Sequence, residues 1–460
     1  VLVVVQGVAI CGTPWDWWFE DDSMHRVFVR DHTNLFAYFM PDLVSALSLG
    51  HSVTPWFTLT FRIDALIHST SALPAYLHSL FSVWLTACAL FMLLRRFMHT
   101  SIAGATACLW IFLPSTVVSM EFLSSRHYIE GLFFSLLSVY FAHQAIALDG
   151  EKRHIWTAAL FYLLCCTTKE VYVSATWFVL LSFYLGTRHY RAALGMVACG
   201  VAYAAYRLVS LGLVGKGVSA SFLSRYYLFP IRLPYIFAGS YGGYLLFALL
   251  LGLLFLALRR RLLSRSQLIF LTGLFAVLCL TIFPVTAPVT DQFQRLGTWY
   301  RVVFLLNTVI LAVSAWLVSR MRLPRFGPFL GIVTAVVLFF GAWTTASKWD
   351  EVKQTYVREG QFYLKYPERL LYCKGRAPWF IYGLHEFYLP DSPRHYLTWR
   401  VDKGTPKEYV LEQIDRYDEV WVYEDGAFKS DPTLEQRIRY NCENERNPLH
   451  KPIPEEEETE

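Results

Sequence analysis

Apolar residues in this chain gather in long unbroken runs, separated by short polar clusters, rather than recurring at helix or strand spacing. Eleven runs reach membrane length or approach it: Val1–Cys11, Leu77–Leu94, Ile102–Val118, Tyr128–Ala147, Ile155–Cys166, Val171–Leu185, Ala192–Val214, Ser240–Leu258, Leu268–Val285, Val302–Val318 and Gly327–Thr345. A spanning helix needs roughly 20 apolar residues, fewer where it is broken or covered by neighbours. The fifth and sixth runs are short and separated only by Thr167-Thr168-Lys169-Glu170, the pattern of a broken or re-entrant pair. The first run is short because the numbering starts inside it, so a cytoplasmic head and part of that helix are expected before residue 1. A cleaved signal peptide is the alternative for this run, but it lacks the basic leader.

From Ala346 the pattern turns polar. Tyr396–Val401 reads as a strand. Thr405-Pro406-Lys407-Glu408 is a capping box with proline at the first helical position, predicting a helix to Tyr417. Glu419–Tyr423 reads as the next strand, which makes one strand-helix-strand unit. The expected fold is therefore a polytopic α-helical membrane protein with about 11 transmembrane helices and a small α/β C-terminal domain. Its parts are a membrane domain over 1–345 that includes an outer loop at 12–76, the α/β domain over 346–442, and a flexible acidic tail over 443–460. Within the loop, Trp15, Trp17, Trp18, Phe36 and Trp56 suit helices lying in the membrane interface, with Asn34–Leu49 an amphipathic stretch.

Composition agrees: of 460 residues, 55% are hydrophobic and 17% charged, too apolar for a soluble chain of this length. The charges fix the orientation. Every second connection is basic: Arg95-Arg96, Lys152-Arg153, Arg188 with Arg191, Arg259-Arg260-Arg261 with Arg265, and Arg320, Arg322 with Arg325. These carry thirteen Lys and Arg against Asp149 and Glu151, and the positive-inside rule assigns them to the cytoplasm. The connections Gly12–Tyr76, Met120–His127, Gly215–Gly239, Thr286–Arg301 and the segment from Ala346 then lie outside. The net charge of +5 is thus an orientation signal, and no aromatic-interleaved basic stripe points to nucleic acid. No Gly-rich nucleotide loop suggests an ATP-driven pump. Seven of the nine cysteines lie at or within spans, where a thiol packs as a small apolar group. Cys373 and Cys442, in the outer segment, are placed where a disulfide is allowed. No Cys/His spacing resembles a zinc site, and no metal is expected, although a metal shared by Glu20 and Asp22 stays open.

Candidate chemistry lies in the outer connections. Asp21 and Asp22, with Glu20, follow the first apolar run; a carboxylate there can accept the proton of an attacking hydroxyl. The plain alternative is an acidic loop or helix cap. Lys169-Glu170 places two opposite charges between apolar runs, which is costly unless they are paired or solvated. Lys169 suits a lipid phosphate with Glu170 orienting it; a short outer turn is the simpler alternative. Arg126, Arg295, Arg301 and Arg225 are forked donors for phosphate oxygens, or interface anchors. Arg207 is an intramembrane charge. His78 and His127 complete the set as interfacial histidines.

Four stretches together resemble the GT-C glycosyltransferases, and within them the protein O-mannosyltransferase-like branch. Phe19-Glu20-Asp21-Asp22 is similar to that family's acid pair after the first span. Pro55–Arg62 (PWFTLTFR), followed by Leu73-Pro74-Ala75-Tyr76-Leu77-His78, resembles its approach to the second. Leu113-Pro114 with Ser125-Arg126, and Thr168-Lys169-Glu170-Val171, match two further motifs. The likeness covers roughly Val1–Val214. The chain departs from it at Thr54, where the family has arginine, at Leu113, where it has histidine, and at Val118 and Tyr128, where acids are usual. No tetratricopeptide repeats follow.

The resemblance implies a GT-C architecture and an inverting transfer of sugar from a polyprenyl-phosphate donor to an extracytoplasmic hydroxyl on a protein or glycan. It implies Asp21 as general base with Asp22 second, and Lys169, Arg126, Arg295 and Arg301 as donor-phosphate ligands. It requires no cofactor beyond the lipid-linked donor. Expected partners are that donor, the acceptor, membrane lipids and a membrane protein docked through the C-terminal domain. The tail carries no endoplasmic-reticulum retention signal, so the expected location is a bacterial inner membrane with the site on the periplasmic side. Two rivals remain at this point: a GT-C-derived structural subunit that no longer catalyses, and a lipid-glycan transporter, which would carry an internal repeat that the sequence lacks.

Overall fold

The computed structural model describes residues 17–19, 22–47, 53–67, 71–148, 151–212, 228–282, 298–321, 326–373, 378–398, 407–417, 419–424 and 427–443. The run Val1–Cys11, Glu20, Asp21, Arg225, Arg295, the Thr405-Pro406 cap, the acidic tail and the side chains of Cys373 and Cys442 lie outside them.

Seven described helices are long and apolar enough to cross a membrane: Leu73–Leu94, Leu123–Ala147, Tyr190–Leu211, Gly242–Arg259, Arg265–Ile282, Tyr300–Met321 and Gly327–Lys365. The third predicted span is not straight. Thr100–Ile111 and Pro114–Glu121 meet at a 54° bend, and Pro114 at the first turn of the second helix explains it, since it lacks the N–H that would continue the ladder. The fifth and sixth spans are the shorter helices Lys152–Cys166 and Glu170–Gly186. The eleventh continues past Thr345, where the apolar run ends, as one helix of 40 residues over Phe326–Lys365.

By contact the chain divides into two compact units. The first comprises Val1–Trp15, His32–His68 and Leu73–Asp350; the second comprises Asp16–Asp31, Ser69–Ala72 and Glu351–Glu460. The outer loop is thus shared between them rather than belonging wholly to the membrane part. The first unit has a continuous apolar core that includes Trp110, Ile129, Tyr172, Phe304 and Leu306. Its outer-loop helices present apolar side chains without cover: Phe36 is 81% exposed and Ile67 70%, as interfacial helices require.

In the second unit a sheet of four strands, β1 (Leu370–Cys373), β2 (Tyr396–Thr398), β3 (Val420–Glu424) and β4 (Ala427–Ser430), runs in the order β2-β1-β3-β4. β1 is parallel to both β2 and β3, and β4 is antiparallel to β3. The helix Lys407–Arg416 does connect β2 to β3, but the two strands are not neighbours: β1 lies between them. Leu370, Tyr372, Leu397, Val410, Val420, Val422, Leu434 and Ile438 form the core beneath. The helix Asp22–Asp31 belongs to this unit. Ser23 Oγ donates to Phe380 O at 3.0 Å, and a Cβ on Gly383 would fall 2.2 Å from that hydroxyl. Gly383 is therefore what lets the Asp22–Asp31 helix lie against Pro378–Tyr388.

Candidate functional site

The site grows from the first turn of the Arg126–Ala147 helix. Arg126 is fully buried, a position a guanidinium tolerates only when carboxylates and acceptors surround it. One Nη atom donates to Asp64 Oδ2 at 2.6 Å and to Ala75 O at 3.2 Å, and the other to Thr60 Oγ1 at 2.8 Å. Its Nε lies 3.4 Å from Glu130 Oε1, one turn along the same helix. The Phe61 ring covers the planar face at 5.1 Å.

His78 joins the two acids. Its Nδ1 is 2.8 Å from Asp64 Oδ1 and its Nε2 is 3.2 Å from Glu130 Oε1. The imidazole retains 26% exposure, against 3% for Asp64 and 6% for Glu130, so it is the solvent-facing member of the cluster. Glu130 is completed by the Trp56 indole N–H at 2.9 Å and by Ser82 Oγ at 3.3 Å. Burial pushes the Asp64 carboxyl up, but the Arg126 charge and the hydrogen bonds from His78 and Arg126 outweigh it, and the group ends below its ordinary value.

Two further cations approach the same helix start. The Trp56 peptide N–H donates to Thr167 O at 3.0 Å, which ties the Thr167–Glu170 turn to the Pro55–Ile67 helix. Gly131 lets this turn come close: a Cβ there would lie 2.5 Å from Thr168 Oγ1. Lys169, extended at the start of the Glu170–Gly186 helix, holds its ammonium 5.7 Å from the centre of the Tyr128 ring. Arg301 donates to Ser125 Oγ at 2.9 Å and stacks over Phe122 at 4.7 Å.

Of the residues singled out in the sequence, Arg126, His78, Lys169 and Arg301 thus meet around residues 122–130. His127 is buried there between the rings of Phe57 at 5.0 Å and Tyr128 at 4.6 Å, a packed role. Glu170 pairs with Arg207 at 2.8 Å, and Arg207 also donates to Gly212 O at 2.9 Å. Asp22 is buried at the start of its helix in the second unit. Asp21, Glu20, Arg225 and Arg295 lie outside the described residues.

Arg126 is held on four sides by protein groups, so it acts on its neighbours rather than offering an open fork. Sequence reasoning missed Asp64, Glu130 and Trp56. Glu130 had a signal: it stands four residues after Arg126, on the same helical face, whereas the family pattern directs attention to position 128. Asp64 follows the PWFTLTFR stretch by two positions. Three of the four stretches that carry the family resemblance supply side chains to this one cluster.

The fold matches that of solved structures over nearly its whole length. ArnT from Cupriavidus metallidurans in the apo state is 14% identical, with a TM-score of 0.52 over 93% of this chain and 96% of that chain. The same protein bound to undecaprenyl phosphate superposes with a TM-score of 0.49 at 14% identity, over the same shares. No protein-family model matches the chain, and no curated protein matches it by sequence. At this identity the likeness shows a shared fold with ArnT, and it does not reach the O-mannosyltransferase-like branch.

Proposed function

We propose that the protein is a membrane glycosyltransferase that takes a sugar from a polyprenyl-phosphate donor and passes it to a hydroxyl of an extracytoplasmic protein or glycan. The observation that carries this reading is the convergence of three motif stretches on one charged cluster within a GT-C fold. The donor is a substrate, and no resident cofactor is invoked. The basic connections face the cytoplasm and the cluster faces outward, in a bacterial inner membrane.

In this reaction the acceptor oxygen attacks the anomeric carbon from the side opposite the phosphate. The bond from that carbon to the phosphate oxygen breaks, and its electron pair leaves with the lipid phosphate. Asp21 takes the hydroxyl proton, with Asp22 as the second choice. Lys169 and Arg301 stabilise the charge that builds on the phosphate. Asp64, Arg126, His78 and Glu130 fix the helix start that Arg301 meets, and Trp56, bonded to Glu130, ties down the turn on which Lys169 sits, so that neither cation must reorganise as the reaction proceeds.

The test is release of polyprenyl phosphate from a panel of undecaprenyl-phosphate sugars by the full chain in nanodiscs. Asp21→Asn should abolish release while the protein stays folded. Lys169→Ala or Arg301→Ala should each lower turnover by about 10²-fold, the usual cost of removing one donor to developing charge. A second reading, a structural subunit that has lost catalysis, is favoured by Thr54, Leu113 and Val118 standing where the family carries functional side chains. It predicts no release by the wild type with every donor tested, and co-purification with a membrane partner that Asp21→Asn leaves unchanged.

A further inference from the structure

The first unit contains a second feature that the transfer chemistry does not use. The helices Thr100–Ile111, Gly242–Arg259, Phe304–Met321 and the start of Phe326–Lys365 border a cavity of about 930 Å³. Its walls are hydrocarbon: Ile102, Leu109, Leu250, Ile310 and Ala335 are typical. Two hydroxyls on the wall are already committed to their own helices, Thr106 to Ile102 O at 2.7 Å and Ser314 to Ile310 O at 2.6 Å. Ser101 is paired with His99 at 2.8 Å, which leaves the hydroxyls of Ser319 and Thr334 on the wall, too few to give waters across the space the two to four polar partners each needs. The space suits alkyl chains.

One end of this cavity is basic. Ser319, on its wall, is followed directly by Arg320, whose guanidinium lies over Trp316 at 5.4 Å. Leu253, also on the wall, packs with Leu317, Met321 and Leu330, and Leu262 and Leu263 fold against that cluster. Arg259, Arg260 and Arg261 lie between Leu253 and Leu262 in the chain, so they come to the same end. All four arginines are exposed. Among the described residues none of them has a carboxylate within ion-pair distance.

We propose that this is a binding site for an anionic phospholipid, with its acyl chains in the cavity and its headgroup phosphate on Arg259, Arg260, Arg261 and Arg320. Basic clusters at the ends of membrane helices attract anionic headgroups by about 1 kcal/mol per arginine, roughly fivefold in affinity. The charge position also separates this ligand from the sugar donor. Arg320 and Arg301 stand near opposite ends of the helix Tyr300–Met321, roughly 30 Å apart at 1.5 Å per residue. A donor phosphate held at Arg301 is therefore not held at Arg320.

The experiment is native mass spectrometry of the full, delipidated chain titrated with phosphatidylglycerol, phosphatidylcholine or undecaprenyl phosphate. Phosphatidylglycerol should bind at least tenfold more tightly than phosphatidylcholine. Replacing Arg259, Arg260, Arg261 and Arg320 together by glutamine should abolish that preference, with a loss of up to roughly fivefold for each single substitution, and should weaken phosphatidylcholine, whose phosphate charge is balanced by choline, much less. These side chains are exposed, so their loss leaves the fold intact. Ala335→Trp, which puts an indole into the path of the acyl chains, should weaken both phospholipids. Undecaprenyl phosphate should bind alongside phosphatidylglycerol without displacing it. Equal affinity for the two phospholipids overturns the proposal, as does a preference that survives all four substitutions. Displacement of phosphatidylglycerol by equimolar undecaprenyl phosphate assigns the cavity to the donor and overturns it too.

Discussion

Two sets of opposed charges sit among the apolar helices of the first unit, and they are built differently. Around Arg126, side-chain exposure is 0% for the arginine, 3% for Asp64 and 6% for Glu130. Around Arg207 it is 26%, with 28% for its partner Glu170. The first set has one guanidinium, two carboxylates, an imidazole and an indole; each of the first four is held by at least two other members, and the indole by Glu130. The second is a single pair with a backbone carbonyl as its further support. Desolvation makes the difference matter. A fully buried charge must have every partner present, whereas a half-exposed pair can exchange one partner for solvent or headgroups. The first arrangement is suited to fixing geometry and the second to adapting it.

The comparison predicts its largest effect at Arg126. Arg126→Met leaves Asp64 and Glu130 facing each other in a buried site, and should cost about 3–5 kcal/mol, seen as a lower unfolding temperature in detergent. Arg126→Lys should recover little of this, because an ammonium cannot reproduce a fork that reaches Asp64, Ala75 O and Thr60 at once. If Arg126→Met proves as mild as Arg207→Met, the distinction between the two sets collapses.

Asp64 comes next. Asp64→Asn should cost about 1.5–3 kcal/mol at neutral pH, the range for hydrogen bonds to charged groups. Because the folded protein holds this carboxyl below its ordinary value, the native state takes up its proton less readily than the unfolded chain. Its stabilising contribution is complete above the unfolded value, about 4, and is lost as pH falls through the lower folded value. Unfolding temperatures of wild type and Asp64→Asn should therefore converge on acidification. A constant gap down to pH 3 would mean that the carboxylate charge is not what the cluster uses.

Trp56→Phe tests the rim of the same cluster. It keeps the ring that meets Phe134 edge-on at 5.0 Å and removes only the indole N–H given to Glu130. A loss of about 1–2 kcal/mol is expected. Turnover should fall much less, since the backbone N–H of residue 56 that tethers the Lys169 turn is kept in the variant.

What the sequence made legible follows the same division between apolar and charged groups. Run length located the spans because the bilayer imposes it; Leu77–Leu94 is observed as Leu73–Leu94. The bend at Pro114 was hidden because hydropathy does not register a missing N–H. The continuation of the last membrane helix to Lys365 was hidden because a helix does not stop where its apolar run does. Strand β1 has only four residues, too few to show alternation. In the site, Arg126 and Lys169 were legible as charges beside apolar runs. Asp64 was not, because its role depends on a neighbour brought close by packing: Arg126 is 62 positions away; Glu130, four residues after Arg126 on one helical face, was legible but the family pattern points elsewhere.

The smallest effect is expected for the Glu170–Arg207 pair. A double-mutant cycle with Glu170→Gln and Arg207→Gln should give a coupling of about 0.6 kcal/mol, the average for polar contacts between membrane helices, because the alternative state also finds partners. Each single variant should stay folded and keep most of its thermal stability. The informative quantity is the ratio of effects. Glu170 occupies the first turn of the helix that Lys169 opens, so the pair can matter to turnover without mattering to stability. A coupling above about 2 kcal/mol would place this pair with the Arg126 cluster as a fixed element. A coupling near zero, with turnover lowered in Glu170→Gln alone, would mark Glu170 as the group that sets how far Lys169 reaches.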